Sequence, residues 1–230
     1  MLNYAVDPAI VEPVLPPKTE LDFFNGATYV SVVGFRFLGT KILGIGIPLH
    51  RNFEEVNLRF YVRRRGPEGW RRGVAFVREL VPRRAIAFVA GTLYGEPYSA
   101  LPMGHCIAKT GSSIHVEYRW KRAGQWESLG VHGVGEPQRL TPGSHEEFIA
   151  EHYWGYTARR GGCGEYRVEH PPWRIWYGTE SYLRADVRAL YGDRFVAALS
   201  APPVSALIAE GSEVTVRWKT EIGMLSKNES

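Results

Sequence analysis

The stretch EEVNLRFYVRRRGPEGWRRGVAFVRE, residues 54–79, constrains the fold more than any other part of the chain. Its first half alternates strictly, with Val56, Leu58, Phe60 and Val62 on one side and Glu55, Asn57, Arg59 and Tyr61 on the other. A period of two places successive side chains on opposite faces of an extended strand, so this run carries one apolar face and one polar stripe. Gly66-Pro67-Glu68-Gly69 supplies a turn, and Val74, Phe76 and Arg78 return on a second strand. The expected unit is a long β-hairpin.

Punctuation elsewhere repeats this pattern. The 230 residues include 25 glycines and 15 prolines, scattered as short strands joined by turns require. ATYVSVVGFRF (27–37), β-branched and aromatic, reads as a strand. Further strands are expected at 103–109, 112–121 and 125–134, with Gly111-Ser112 and Ala123-Gly124 as turns, then at 152–160, 164–173, 174–182 and 212–222. LGTKILGIGIPLH (38–50) holds too many glycines for a regular element and is expected as a loop.

Helical signals are few and short. Asp7-Pro8 opens one with a capping residue and a proline in the first turn, and Pro13 and Pro16-Pro17 end it. PRRAIAFVAGTLY (82–94) sets Pro82 ahead of an apolar stripe, Ile86, Val89, Ala90, Leu93 and Tyr94, and Gly95 stops it. In 144–154, Ser144 leads Glu147 at capping-box spacing. LRADVRALYG (183–192) puts Leu183, Val187, Leu190 and Tyr191 on one side. No repeat or low-complexity linker divides the chain, so residues 1–230 are read as one domain. Strand after strand with few helices predicts a mainly β, β-rich α+β fold built on a closed or partly closed antiparallel sheet.

Composition narrows the function classes. No apolar run reaches the roughly 18 residues of a membrane span, and MLNYAVDPAI has no signal-peptide features, so a cytoplasmic protein is expected. Cys106 and Cys163 lack CxxC spacing and read as two thiols in a reducing compartment. Twenty-eight basic against 24 acidic residues give only +4, and the arginine clusters at 63–65, 71–72, 83–84 and 159–160 sit beside turns. Solvated hairpin tips are the expectation for them, ahead of a nucleic-acid surface.

Motifs for metal or cofactor chemistry are missing. HEEFIAEH (145–152) resembles a zincin only superficially: seven residues separate its histidines by about 10 Å on a helix, too far to chelate one ion. His105-Cys106 and His132 also lack paired spacings, so no metal is expected. GxSxG, Walker A and a strand-to-helix GxGxxG are absent, and no cofactor is implied. Two readings attach to the stripe Glu55, Asn57, Arg59 and Tyr61. In an open sheet it faces water. Around a cavity it points inward, where a carboxylate beside a guanidinium orients a small anionic or carbonyl ligand. His170, in HPPW, is either a histidine bonded to backbone or a pocket acid–base group.

Several segments in order, LNYAVDPAIVEPVLPPKTELDFFNGATYVSVVGFRF, FEEVNLRFYVRRRG, EEFIAEHYWGYT and VEHPPW, resemble the YqjF-like family, domain-of-unknown-function family 2071. The resemblance runs from Leu2 to about Lys219. That family is similar in fold to acetoacetate decarboxylase, which implies an antiparallel β-cone or barrel around a buried pocket, with the stripe turned inward. In the decarboxylases a helix ends in an AG-(E/W)-GYPKKL-type segment whose first lysine forms a Schiff base with the ketoacid. AGTLYGEPYSALPM (90–103) resembles that segment in helix, turn and proline, but Tyr98, Ser99 and Ala100 stand where the tandem lysines would be. Lysines 18, 41, 109, 121, 219 and 227 all lie outside it. The resemblance also implies an acidic pocket residue at Glu55.

The expected protein therefore binds a small polar ligand, a carboxylate or carbonyl compound, through Glu55, Asn57, Arg59, Tyr98 and Ser99, with no cofactor and no imine. The alternative is a lyase or hydrolase that moves protons on a keto- or hydroxy-acid through Glu55, Tyr98 or His170. No membrane or nucleic-acid partner is expected. Oligomeric state stays open, a homo-oligomer included.

Overall fold

In the computed structural model, which describes residues 1–39, 41–42, 45–46, 52–83, 97–159, 162–217 and 220–222, the expected hairpin is the longest element. In chain order the elements are β1 Leu2–Val6, α1 Pro8–Val11, β2 Glu20–Leu21, β3 Thr28–Phe37, β4 Lys41–Ile42, β5 Ile45–Gly46, β6 Phe53–Gly66 and β7 Gly69–Val81. Next come β8 Tyr98–Ala100, β9 Met103–Thr110, β10 Ser113–Arg122, β11 Gln125–Val134, β12 Gln138–Arg139 and α2 His145–Ala150. The final third holds β13 Trp154–Arg159, β14 Gly162–Glu169, β15 Arg174–Arg184, α3 Val187–Tyr191, α4 Val196–Ser200, β16 Ser205–Ala209, β17 Thr215–Val216 and β18 Thr220–Ile222.

All of these strands except β4 and β5 join one sheet, whose spine runs β17-β14-β13-β7-β6-β3-β1-β16-β15-β11-β10-β9. Pairing is antiparallel except where β13 and β8 lie parallel to β7. The sheet is thus mixed, and among the described residues it is open, with β9 and β17 at its two ends. It nevertheless curls on itself. A Cβ on Gly34 of β3 would stand 2.5 Å from the Tyr118 ring of β10, although four strands separate the two along the sheet. The missing side chain lets β10 fold across β3.

That curl encloses the main core. Val56, Leu58, Phe60 and Val62 of β6 meet Trp120 of β10 and Leu129 of β11 there, all buried. Each such side chain contributes about 1.5–3 kcal/mol through apolar area removed from water. Leu190 and Phe195, from α3 and the turn behind it, pack into the same cluster. β1 and β16 had no counterpart in the sequence expectations, yet they join the two arms of the sheet. A smaller cluster lies on the opposite face of β6, where Phe148 and Ile149 of α2 cover Tyr61.

Local signals held where they were strong. Asp7 Oδ1 accepts from Ala9 N at 2.9 Å. Ser144 Oγ accepts from Glu147 N at 3.2 Å, while Glu147 Oε2 accepts from Gly143 N at 2.6 Å, one residue earlier than a capping box prescribes. The expected 144–154 helix ends at Ala150, and the chain turns into β13. Leu183 belongs to β15, which stays paired with β11 as far as Arg184; the helix behind it begins after Asp186, whose Oδ1 caps Ala189 N. The expected strand at 212–222 divides into β17 and β18, and β4 and β5 form a two-stranded ladder in the expected loop. Of the expected 82–94 helix, residues 84–94 lie outside the described residues.

The arginines near the hairpin turn are paired rather than simply solvated. Arg63 meets Glu20 at 2.8 Å and Arg72 meets Asp22 at 2.6 Å, while Arg64 and Arg71 converge on buried Glu165. Among the described residues no helix is long and apolar enough to cross a membrane.

Candidate functional site

The polar stripe lies inside the protein. Glu55 and Asn57 are each 2 % exposed, and Tyr61 is 1 % exposed. β6 is flanked by β3 and β7 along both edges, while the main core covers its face at Phe60 and the α2 cluster its face at Tyr61.

Register extends the stripe into a row. Asn57 pairs with Glu79 on β7, and Glu79 pairs with Tyr98 on β8. Directly paired residues share a face, with Cβ atoms about 4.5–5.5 Å apart. Asn57, Glu79 and Tyr98 thus stand side by side on three strands, with Glu55 one step along β6. Asn57 Nδ2 donates to Glu55 Oε1 at 3.0 Å. Asn57 Oδ1 is buried and has no donor among the described residues. Glu79 is also 2 % exposed, so the row holds two carboxylates away from water.

A β-bulge sets this row. Leu58 pairs with Arg78, but the next residue, Arg59, pairs with Phe76, which leaves Val77 over. Were Val77 paired with Leu58 in an unbroken register, Arg78 would face Asn57; the bulge prevents that. With it, Glu79 takes the place and Arg78 turns to the other face. Glu79 is the member that sequence reasoning missed.

The remaining sequence candidates are placed differently. Arg59 Nη2 donates to the carbonyl of Ile149 at 3.0 Å, which ties it to α2. Ser99 follows Tyr98 in an extended strand and therefore points to the opposite face, where Arg78 Nη1 lies 3.4 Å from its Oγ. His170 stacks on Trp173 with ring centroids 4.0 Å apart, and its Nδ1 lies 2.9 Å from the Pro171 carbonyl oxygen. None of its described contacts is with the stripe.

At the α2 end a second set of polar groups crosses the same face. Tyr61 OH and Ser31 Oγ share a 2.6 Å hydrogen bond, Ser31 donates to Asn3 Oδ1, and Asn3 donates to Ser205 Oγ, which lies 3.3 Å from His145 Nδ1. His152 sits beside this chain, against the rings of Tyr61 and Phe148. Burial holds its pKa down at about 4, and Arg72 and Arg59 act in the same direction. Asp22 opposes them from 3.8 Å, beyond hydrogen-bond reach, so its pull is smaller than the burial cost.

A cleft of about 260 Å³ opens on the outer edge of β7, lined by Phe76, Val77, Pro97, Tyr156 and Thr157. β13 pairs with residues 73–75 of that edge and β8 with residues 79–81, which leaves the bulge between them. Pro97 on the rim directly precedes Tyr98. Among the described residues no three metal-ligating groups converge.

Known proteins share this architecture. The Bacillus subtilis (strain 168) protein YqjF, described as uncharacterized, is 28% identical over 178 residues, which are 75% of this chain and 70% of that protein. An acetoacetate decarboxylase-like enzyme from Sphingomonas wittichii RW1 superposes with a TM-score of 0.60 at 16% identity, over 97% of this chain and 90% of that one. The enduracididine biosynthesis enzyme MppR, complexed with pyruvate, gives 0.61 at 15% identity, over 96% and 84%. At these identities the likeness to solved structures is one of fold, an acetoacetate-decarboxylase-like curled sheet. The model of the DUF2071 family, described as an uncharacterized conserved protein, matches residues 1–213, and the chain belongs to that family.

Proposed function

We propose that the protein binds a small polar molecule, a carboxylate or carbonyl compound, against Glu55, Asn57, Glu79 and Tyr98, and that it forms no imine. The observation that carries this reading is the burial of Glu55, Asn57 and Glu79 together on one sheet face. Taking two carboxylates and an amide out of water is costly, and an apolar filling would stabilise the fold better. A row of this kind is retained for what it recognises. Asn57 Oδ1 asks for an O–H or N–H donor, which a hydroxyl, an amine or a bound water supplies.

The fold supports a keto-acid-sized ligand, since MppR shares it and is known complexed with pyruvate. The catalytic amine of the decarboxylases has no equivalent in residues 82–103, which contain no lysine. Tyr98 offers a phenol beside Glu79 in place of that amine. The cleft beside Pro97 gives a small molecule a route toward β8. A reducing cytoplasm suits the protein, with Cys106 exposed and no disulfide joining it to Cys163.

The pairing of Tyr98 with Glu79 favours a second reading, proton transfer on a keto- or hydroxy-acid. His170 has no part in it. A panel of ketoacids, hydroxy acids and lactones separates the two. Saturable binding without turnover, weakened in Glu55→Gln and Asn57→Ala, supports the binder; turnover lost in Glu55→Gln supports the enzyme. Borohydride trapping of a stable lysine adduct would overturn the exclusion of imine chemistry.

A further inference from the structure

Donors and acceptors along β6 narrow what the buried row can recognise. Asn57 commits its Nδ2 to Glu55 Oε1 at 3.0 Å, which fixes the orientation of the amide and leaves Oδ1 buried without a partner. Two carboxyl groups flank it, Glu55 one step along β6 and Glu79 across the ladder on β7. Whatever satisfies Oδ1 brings an N–H or O–H, and beside two acids a cationic donor gains most. An ammonium has both the positive charge and three N–H groups to share among these acceptors. A ketone oxygen in the same place would set lone pair against lone pair.

Arg59 is the next residue on this face, two residues further and so about 6.6–6.8 Å along the strand. β3 shows that the face is shared, because Asn57 pairs with Val33 and Arg59 with Ser31 in an unbroken register. Arg59 Nη2 donates to the Ile149 carbonyl oxygen at 3.0 Å, and its guanidinium lies 5.6 Å from the centroid of the Tyr61 ring. Neither contact supplies a negative charge. Among the described residues no carboxylate forms an ion pair with Arg59, and its Nε is buried without an acceptor. A buried N–H left unbonded costs about 1–3 kcal/mol, and more on a charged group. The partner that best matches a guanidinium is a carboxylate. Along one face of β6 there is thus an acceptor between two acids, and then a cation that lacks its anion.

We propose that the ligand of this site is a zwitterion of the α-amino acid class, with its ammonium on Asn57 Oδ1 between Glu55 and Glu79 and its carboxylate on Arg59. This rests on the small-molecule reading of the row and narrows it. With a hydrogen bond of about 2.8–3.0 Å at each end, the N–C–C–O skeleton of an α-amino acid bridges successive same-face side chains of one strand. Each half alone leaves a cost behind. An amine without a carboxylate leaves Arg59 unmatched, and a keto- or hydroxy-acid leaves the acids without a cation.

The test is calorimetric titration of the full chain with the twenty common L-α-amino acids, one at a time. For the tightest binder, four relatives follow: its α-keto and α-hydroxy analogues, its decarboxylated amine and its N-trimethylated form. Saturable binding of at least one amino acid is expected, with each relative at least about tenfold weaker. Arg59→Gln should weaken the amino acid to the level of its decarboxylated amine and leave the amine unchanged. Asn57→Leu should remove the preference for the free ammonium over the trimethylated one. Thermal melts establish that the variants are folded, and the ligand series on the parent protein decides the matter without them. A keto- or hydroxy-acid that binds as tightly as the matching amino acid would overturn the zwitterion and leave the proposed function standing. So would equal binding of the amino acid and its decarboxylated amine. Should the amino acids and their keto and hydroxy analogues all fail to bind, the proposed function itself falls.

Discussion

Asn57 and Glu79 are paired on β6 and β7, each 2 % exposed, and they meet because Val77 bulges out of the ladder instead of pairing with Leu58. Deleting Val77 removes the bulge but leaves Leu58 opposite Arg78 and Asn57 opposite Glu79, so the buried row and its pairing with β8 should survive. Urea unfolding should show a loss smaller than about 3 kcal/mol, the scale of breaking buried polar pairing. Val77→Ala keeps the bulge and should cost about 1 kcal/mol. A loss of about 3 kcal/mol or more on deletion would mean that the bulge itself, and not only the phase it gives Glu79, is needed for the pairing.

That bulge also marks the limit of what local patterning conveys. The alternation in 54–62 and the glycine turns at 66–69 and 123–124 are local signals, and the hairpins formed where they pointed. Nothing around Val77 announces an insertion, so period-two counting put Arg78 in phase with Phe76 and passed over Glu79. Alternation separates two faces without saying whether both are covered, which left the stripe open between water and interior. β1 and β16 are five residues each and pair with strands distant in sequence, so propensity alone did not mark them.

Asn57→Asp adds a third carboxylate beside Glu55 and Glu79 in a site closed to water. Like charges at close range, together with desolvation, raise the pKa of such a group. A group whose folded pKa lies above its unfolded value contributes stability at low pH and loses it as pH rises. Relative to the parent, the variant should therefore be destabilised at pH 7 and recover as the pH falls toward 5. Denaturant midpoints across that range check it, and a pH-independent difference would mean that Asn57 is not crowded by acids.

His152 should give the opposite sign. Its folded pKa is about 4, against about 6.5 when unfolded, because burial disfavours the charged ring among Tyr61, Phe148, Arg72 and Arg59. Above pH 6.5 both states hold it neutral and it contributes no pH dependence. Between 6.5 and 4 the unfolded chain takes up a proton that the folded one refuses, so stability falls with pH, by about 3 kcal/mol in all. His152→Phe should flatten that part of the stability–pH curve. An unchanged slope would place the titrating group elsewhere.

Gly130 and Tyr182 should behave as one unit. A methyl group at position 130 cannot coexist with a ring whose Cζ would lie 2.3 Å away, so Gly130→Ala must expel Tyr182 and break its bond to Glu117. The expected cost is about 1–3 kcal/mol, from overpacking and a lost charge-assisted hydrogen bond. In a Tyr182→Ala background the same glycine substitution meets no ring and should cost under about 0.5 kcal/mol. The double-mutant cycle should therefore report a coupling above about 1 kcal/mol, well outside what independent sites show. Additive losses would mean that the glycine serves the backbone of β11 rather than the reach of Tyr182.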